Sequence, residues 1–411
     1  MTISSNADMM EATRLTRQGR LQEAMAVLRG AFHGAPASGG PRVYDGDARQ
    51  EANAHTPPLL DMLPPSGETG SSWTAPHFED VSSAPHPGNI GRPPPTSGGF
   101  VDRLCKLGIA VGLEGLIGRT GRSAPPLPDG ATFADRCFAN EAGSRKYKLY
   151  VPSGYKGEAL PLLVMLHGCT QSPDDFAAGT RMNELAEKQR LLVAYPAQAQ
   201  SANASRCWNW FNTIEQRRDC GEPSLIAGIT RQIMRDFPIE PGRVYVAGLS
   251  AGGAAAAVMG STYPDLYAAI GVHSGLACGA ARDMPSAFAA MQRGGASRPC
   301  AGGSIVPTIV FHGDGDKTVN PVNGDQVIAQ SKAATSLGTK VSRGKAPGGI
   351  RYTRTNQTDD AGRSMLEQWV LHGAGHAWSG GSAAGSYTEP RGPDASSEMV
   401  RFFLQHSTMR S

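Results

Sequence analysis

Six short apolar runs, LPLLVMLHG, LLVAYP, RVYVAGLS, AAIGVHS, PTIVFHGD and QWVLHGAG, set the tightest limit on how this chain can fold. Each is shorter than an ordinary helix, rich in Val, Ile and Leu, and lacks the apolar–polar alternation of a half-buried strand. Runs of this kind suit strands covered on both faces, as in a parallel sheet. Between them lie DDFAAGTRMNELAEKQR, SLIAGITRQIMRDF, AGGAAAAVMGSTYP and NPVNGDQVIAQSKAATSLG, which pattern as helices. The alternation predicts a doubly wound α/β domain over residues 126–411, a mostly parallel twisted sheet flanked by helices. Ahead of the runs, ATFADRCF and RKYKLYVP are joined by a short polar turn and predict an antiparallel start.

Upstream of residue 126 the texture changes. In residues 1–35, Ala12, Leu15, Leu21, Ala24, Val27 and Leu28 recur near helical spacing and predict a short helical hairpin of the tetratricopeptide type. One such unit cannot bury its own apolar face, so it is expected to dock on the α/β domain, a partner or a granule surface. Residues 36–125 are crowded with Pro, Gly and Ser and predict a disordered linker, with an apolar segment at 100–118. Lys106 and Glu114 interrupt that segment, and no run in the chain approaches the ~18 apolar residues of a transmembrane span. The net charge of +3 is too small for a nucleic-acid-binding signature. The first twenty residues lack a signal-peptide core, which leads us to expect a cytoplasmic protein. None of the seven cysteines forms a CxxC pair, so no structural metal site is expected.

The chemistry begins at Gly248-Leu249-Ser250-Ala251-Gly252. A GxSxG pattern alone is weak in a chain with 51 glycines, but here a buried strand runs into it and a small-residue helix runs out. That context is a nucleophile elbow, with Ser250 lifted to the carboxyl edge of the sheet. A serine nucleophile needs a base, and the base an orienting acid, here in the chain order Ser, acid, His. The strand PTIVF ends in His312-Gly313-Asp314-Gly315-Asp316, which offers Asp314 and Asp316, with Asp325 further on; the HGxxDxxV arrangement points to Asp316. The last run ends in His372, and His376 follows in a glycine-flanked loop, the better place for a base that reaches back over the serine. For the oxyanion, the amide of Ala251 is one donor. The loop Leu166-His167-Gly168-Cys169 supplies the second, best from Cys169, with His167 bracing the loop. A thiol nucleophile at Cys169 is disfavoured because no base follows in context. Trp208, Trp210 and Trp378 are candidate walls of an apolar acyl pocket. Cys169 and Cys207 both adjoin this region and are expected to lie close enough to bridge.

LHGCTQSPDDFA, CWNWF, GEPSLIAGITRQIM, RVYVAGLSAGGAAAAVM, VFHGDGDKTVNPVNG and GAGHAWSGG, in that order, resemble the poly(3-hydroxybutyrate) depolymerase family of esterases. The resemblance implies an α/β-hydrolase fold, no cofactor, and a triad of Ser250, Asp316 and His376 with Cys169 at the oxyanion. It also implies a polyester or small ester as substrate, with feruloyl and acetyl esters of plant polysaccharides as the alternative. A non-enzymatic scaffold built on the N-terminal hairpin is the reading from another class, and an intact triad argues against it. Because every strand, triad and oxyanion residue lies beyond Gly130, a chain lacking residues 1–125 should remain soluble and hydrolyse esters. Insoluble or inactive protein from that truncation would place segment 100–118 inside the catalytic core.

Overall fold

The computed structural model describes residues 127–295, 306–332 and 336–409. The hairpin, linker and apolar segment expected in residues 1–125 lie outside them. Two antiparallel strands, β1 (Thr132–Asn140) and β2 (Gly143–Val151), open the domain as expected. β3 (Leu160–Leu166), α1 (Pro173–Thr180), α2 (Met182–Gln189), β4 (Leu192–Pro196), α3 (Gly221–Asp236), β5 (Ile239–Leu249), α4 (Ala251–Thr262) and β6 (Ala269–His273) follow. Then come α5 (Met284–Arg293), β7 (Thr308–Gly313), α6 (Val322–Ser331), β8 (Gly338–Lys345), β9 (Arg351–Thr358) and β10 (Ser364–His372). The short pair β11 (Trp378–Ser379) and β12 (Thr388–Glu389) and helix α7 (Ala395–Phe403) close the described chain.

Among the described residues, ten strands form one sheet in the order β1-β2-β4-β3-β5-β6-β7-β10-β9-β8. The six central strands run parallel and are the six apolar runs of the sequence. β3 shows why: all seven of its residues are buried, with Leu162, Val164 and Leu166 in the core of one face and Leu163 and Met165 in that of the other. Residues of α3, α4 and α6 fill the first core, and residues of α1, α2 and α7 fill the second.

Three elements depart from the sequence reading. DDFAAGTRMNELAEKQR is two helices, divided where Arg181 takes φ 56. α5 was not read at all, although Asp283 and Ser286 form a capping box in front of it. The edge pair β8–β9 was missed because β8 is exposed almost throughout, and neither GTKVSRGK nor RYTRTNQT carries an apolar face.

Burial holds three histidines neutral. It lowers His167 and His406 to about 4 and His273 to about 3 from an ordinary 6.5. In the unfolded chain these rings take up a proton near pH 6.5, so between there and about 4 the unfolded state binds more protons. Their contribution to stability is therefore complete above pH 6.5 and is lost as the pH falls, by up to about 1.4 kcal/mol per pH unit for each ring. Urea midpoints measured at pH 7, 6 and 5 should fall steadily. A flat profile would mean that these rings are solvated.

Candidate active site

β5 turns into α4 at Ser250, which takes φ 57 and ψ −118. A non-glycine residue there stores strain of about 1–3 kcal/mol and persists only where its surroundings hold it. The Ser250 N–H donates to the His273 carbonyl at 2.9 Å, tying the turn to the end of β6. The flanking glycines are there for space. A Cβ at Gly252 would lie 2.0 Å from the Leu166 carbonyl oxygen, and one at Gly248 would lie 2.3 Å from that of Gly252. Ser250 itself is half-buried, at the carboxyl edge of the sheet.

The strand order β5-β6-β7-β10, all parallel, brings the loops after β7 and β10 to that same edge. There Asp316 Oδ2 stands 2.7 Å from His376 Nδ1. Its other oxygen accepts the N–H groups of Thr318 at 2.8 Å and Val319 at 2.9 Å, and His312 Nε2 lies 3.5 Å from Oδ2. Burial alone would raise this carboxyl; the bonds from His312, His376 and the Val319 amide outweigh it and hold Asp316 well below the usual carboxylate range. An ionised Asp316 on Nδ1 keeps the proton there and leaves Nε2 as the basic nitrogen of His376. The His376 ring is hydrogen-bonded to Asp316; the bond from a nucleophile to its base commonly tightens only in the substrate complex.

The competing residues are engaged elsewhere. His372 Nδ1 pairs with Asp314 at 2.8 Å and its Nε2 with Thr353 Oγ1 at 2.9 Å, so both ring nitrogens are occupied. Asp325 accepts from Gln368 Nε2 at 2.6 Å.

Cys169 is bonded to Cys207, with Cα atoms 4.2 Å apart, which leaves position 169 without a thiol. Its loop is pinned at several further points. Thr170 N–H donates to the Ser205 carbonyl at 2.7 Å, Gly168 N–H to Gln171 Oε1 at 2.9 Å, and Trp208 Nε1 to the His167 carbonyl at 3.0 Å. His167 braces the loop from inside, its Nε2 accepting the Gln198 N–H at 3.0 Å. Among the described residues, the N–H groups of Cys169 and Ala251 donate to no acceptor.

One residue that the sequence reading left without a role underlies this loop. Glu222, 5% exposed in the first turn of α3, accepts the Asn209 N–H and Nδ2 at 2.8 Å each, Gln198 Nε2, and Arg145 Nη2 at 3.4 Å. Asn209 lies two residues beyond Cys207 and Gln198 Nε2 donates to the Cys207 carbonyl at 2.9 Å, so a buried glutamate organises the segment that holds Cys169. The signal was the glutamate of GEPSLIAG, which reads as an ordinary helix-start residue until its partners are known.

The tryptophans require a correction. Trp208 and Trp378 are 0% and 1% exposed, and they belong to the cores of opposite sheet faces. Trp378 donates Nε1 to Ser396 Oγ at 3.0 Å and packs edge-on against Phe176, so it is a core residue rather than a pocket wall. Trp208 is spent on bracing His167. Trp210, 7% exposed, belongs to the same core as Trp208 and packs edge-to-face against Phe211 at 5.8 Å. Among the described residues no cluster of His, Cys, Asp or Glu is arranged to hold a metal ion, and no helix is long and apolar enough to cross a membrane.

A parallel sheet with antiparallel edges, a serine turn after its third central strand, and an Asp–His pair at the same edge define an α/β-hydrolase domain. An acetyl xylan esterase from Aspergillus awamori shares this fold, with a TM-score of 0.51 and 19% identity over 64% of this chain and 94% of that one. Residues 145–339 match the family model described as Esterase PHB depolymerase. The chain is 31% identical over 251 residues to the poly(3-hydroxyalkanoate) depolymerase C of Paucimonas lemoignei, across 58% of this chain and 60% of that protein. It is 29% identical over 198 residues to an acetylxylan esterase of Coprinopsis cinerea, across 47% and 50%. The chain thus spans 60% or less of the length of these two relatives. His376 lies beyond the residues that the family model matches, and the bond to Asp316 is what marks it out.

Removing the Glu222 carboxylate leaves Arg145 buried and the 198–209 segment without its anchor. We expect Glu222→Ala to cost about 3–5 kcal/mol in urea unfolding. A loss below about 1 kcal/mol would show that the disulfide and backbone bonds suffice.

Proposed function

We propose that this chain hydrolyses carboxylic esters through an acyl-enzyme on Ser250, and that its substrates are short-chain polyhydroxyalkanoates, poly-3-hydroxybutyrate and its oligomers foremost. The observation that carries the reading is the 2.7 Å bond between an ionised Asp316 and His376, at the sheet edge where Ser250 stands in a strained turn. Ser250 Oγ attacks the ester carbonyl carbon while its proton passes to His376 Nε2. The carbonyl oxygen becomes anionic and takes the N–H groups of Ala251 and Cys169, which have no acceptor among the described residues. Collapse breaks the ester C–O bond, and the leaving alkoxide takes the proton from His376. Water then attacks the acyl carbon, giving its proton to His376, and Ser250 leaves with that proton restored.

This chemistry does not choose among esters; the acyl pocket does. Trp210 and Phe211, which pack edge-to-face, are our candidates for its wall and would favour a small apolar acyl group such as 3-hydroxybutyryl. The polyester depolymerase among the relatives supports the same side. An acetylxylan or feruloyl esterase is the second reading, supported by the acetylxylan and feruloyl esterases among the relatives.

Ser250→Ala should lower kcat on p-nitrophenyl butyrate by a factor on the order of 10⁶, with His376→Ala close behind. Asp316→Asn should cost about 10⁴. If His372→Ala is the inactive variant and His376→Ala is not, the base has been misassigned.

Purified protein should also be compared on 3-hydroxybutyrate oligomers, amorphous polymer, feruloyl esters and acetylated xylan at equal ester concentration. We expect the first two to be the better substrates. A preference of about tenfold or more for a carbohydrate ester, some 1.4 kcal/mol in transition-state binding, would replace the polyester reading with the second one.

A further inference from the structure

His273 is the last residue of β6, 0% exposed, and lies between the two halves of the proposed triad. Its carbonyl accepts the Ser250 N–H at 2.9 Å. Its side chain accepts another backbone donor: Ser379 N–H points at His273 Nε2 from 3.0 Å. Ser379 is three residues beyond His376 and is itself held by Oγ on the Pro393 carbonyl at 2.7 Å. One residue therefore grips the nucleophile's turn with its backbone and the base's loop with its ring.

The chemistry of the contact is specific. A backbone N–H can only donate, so Nε2 must present its lone pair, and the ring proton belongs on Nδ1, which lies 3.2 Å from Ser274 Oγ. The ring is stacked between Phe311, at 5.8 Å, and Trp378, at 5.1 Å, which fixes its plane. Burial keeps it neutral, and the neighbouring His312 and His376 disfavour a second positive charge; Asp316 acts the other way and does not prevail. An imidazolium would turn an N–H toward the Ser379 N–H and break the link.

We propose that His273 is a positioning residue for ester hydrolysis, setting the approach of His376 to Ser250 by holding Ser250 and Ser379 at once through its carbonyl and a neutral Nε2. The inference rests on the triad reading above. It explains why the interior at the end of β6 holds a histidine between two aromatic rings, where an apolar residue would pack as well.

The test compares His273→Phe, which keeps a buried ring but offers no acceptor, with His273→Gln, whose amide oxygen reaches about as far as Nε2. On p-nitrophenyl butyrate, His273→Phe should lose about 10- to 100-fold in kcat with KM little changed, as a displacement of the base by about 1 Å would cause. The acid limb of its kcat/KM profile should shift as the Asp316–His376 pair relaxes, and His273→Gln should recover most of the loss and the profile. A His273→Phe enzyme with unaltered kcat and pH profile overturns the proposal. Should that variant fail to fold, the ring nitrogens of wild-type His273 decide by ¹⁵N NMR at pH 7. A protonated Nδ1 with bare Nε2 is expected, and an Nε2–H form or an imidazolium overturns it. Ser250→Ala keeps the two questions apart: if it remains active, the triad reading has failed, whereas an inactive Ser250→Ala beside a fully active His273→Phe sinks only the inference about His273.

Discussion

A single methyl group on residue 252 would lie 2.0 Å from the Leu166 carbonyl oxygen. That closeness of α4 to β3 is the constraint from which the site is built. It allows the chain to leave β5, turn through Ser250 at φ 57 and start a helix at once. The helix lies flat on the sheet because its first ten residues are all buried and, except for Val258 and Met259, are alanine or glycine. A larger side chain at 248 or 252 would push the helix away and release the strain that exposes Ser250. The same approach brings the first turn of α4 against the loop after β3, whose His167 carbonyl oxygen would lie 2.5 Å from a Cβ at Gly252.

Rigidity then spreads outward by layers. The backbone of β6 holds the turn, a disulfide and several hydrogen bonds hold the loop after β3, and a buried glutamate holds the segment behind that loop. Each support is itself enclosed by the core of one sheet face. Preorganised donors of this kind need little rearrangement when charge develops on a substrate, which is the condition under which amide groups stabilise an oxyanion well.

What the amino-acid pattern disclosed, and what it did not, follows from burial. The six central strands were legible because two-sided burial demands uninterrupted Val, Ile and Leu, and the serine turn because its glycines answer a local steric need. Asp316 and His376 could be named because strand ends bring them to one edge, and the structure pairs them at 2.7 Å. Glu222, Arg145 and His273 were illegible for the opposite reason: the contacts that give them a role, to Asn209, to one another and to Ser379, join residues 13 to 106 apart, and nothing local distinguishes them from a helix-start acid, a strand cation or a strand-end histidine. Trp378 was misjudged because nearness to the base in sequence says nothing about which face of the sheet a side chain enters. The edge pair β8–β9 escaped notice since strands without an apolar face do not announce themselves through hydropathy.

That edge pair has a bearing on how the molecule behaves in company. Among the described residues, β8 pairs on one side alone, and such an edge leaves a row of backbone donors and acceptors that a second molecule could use to extend the sheet. β8 is GTKVSRGK, with Lys340, Arg343 and Lys345 exposed and no acidic residue along its length. A copy of the same strand laid against it would set cations beside cations at about 5 Å spacing, with nothing to neutralise them. Like charges on such an edge work against stacking of one copy on another.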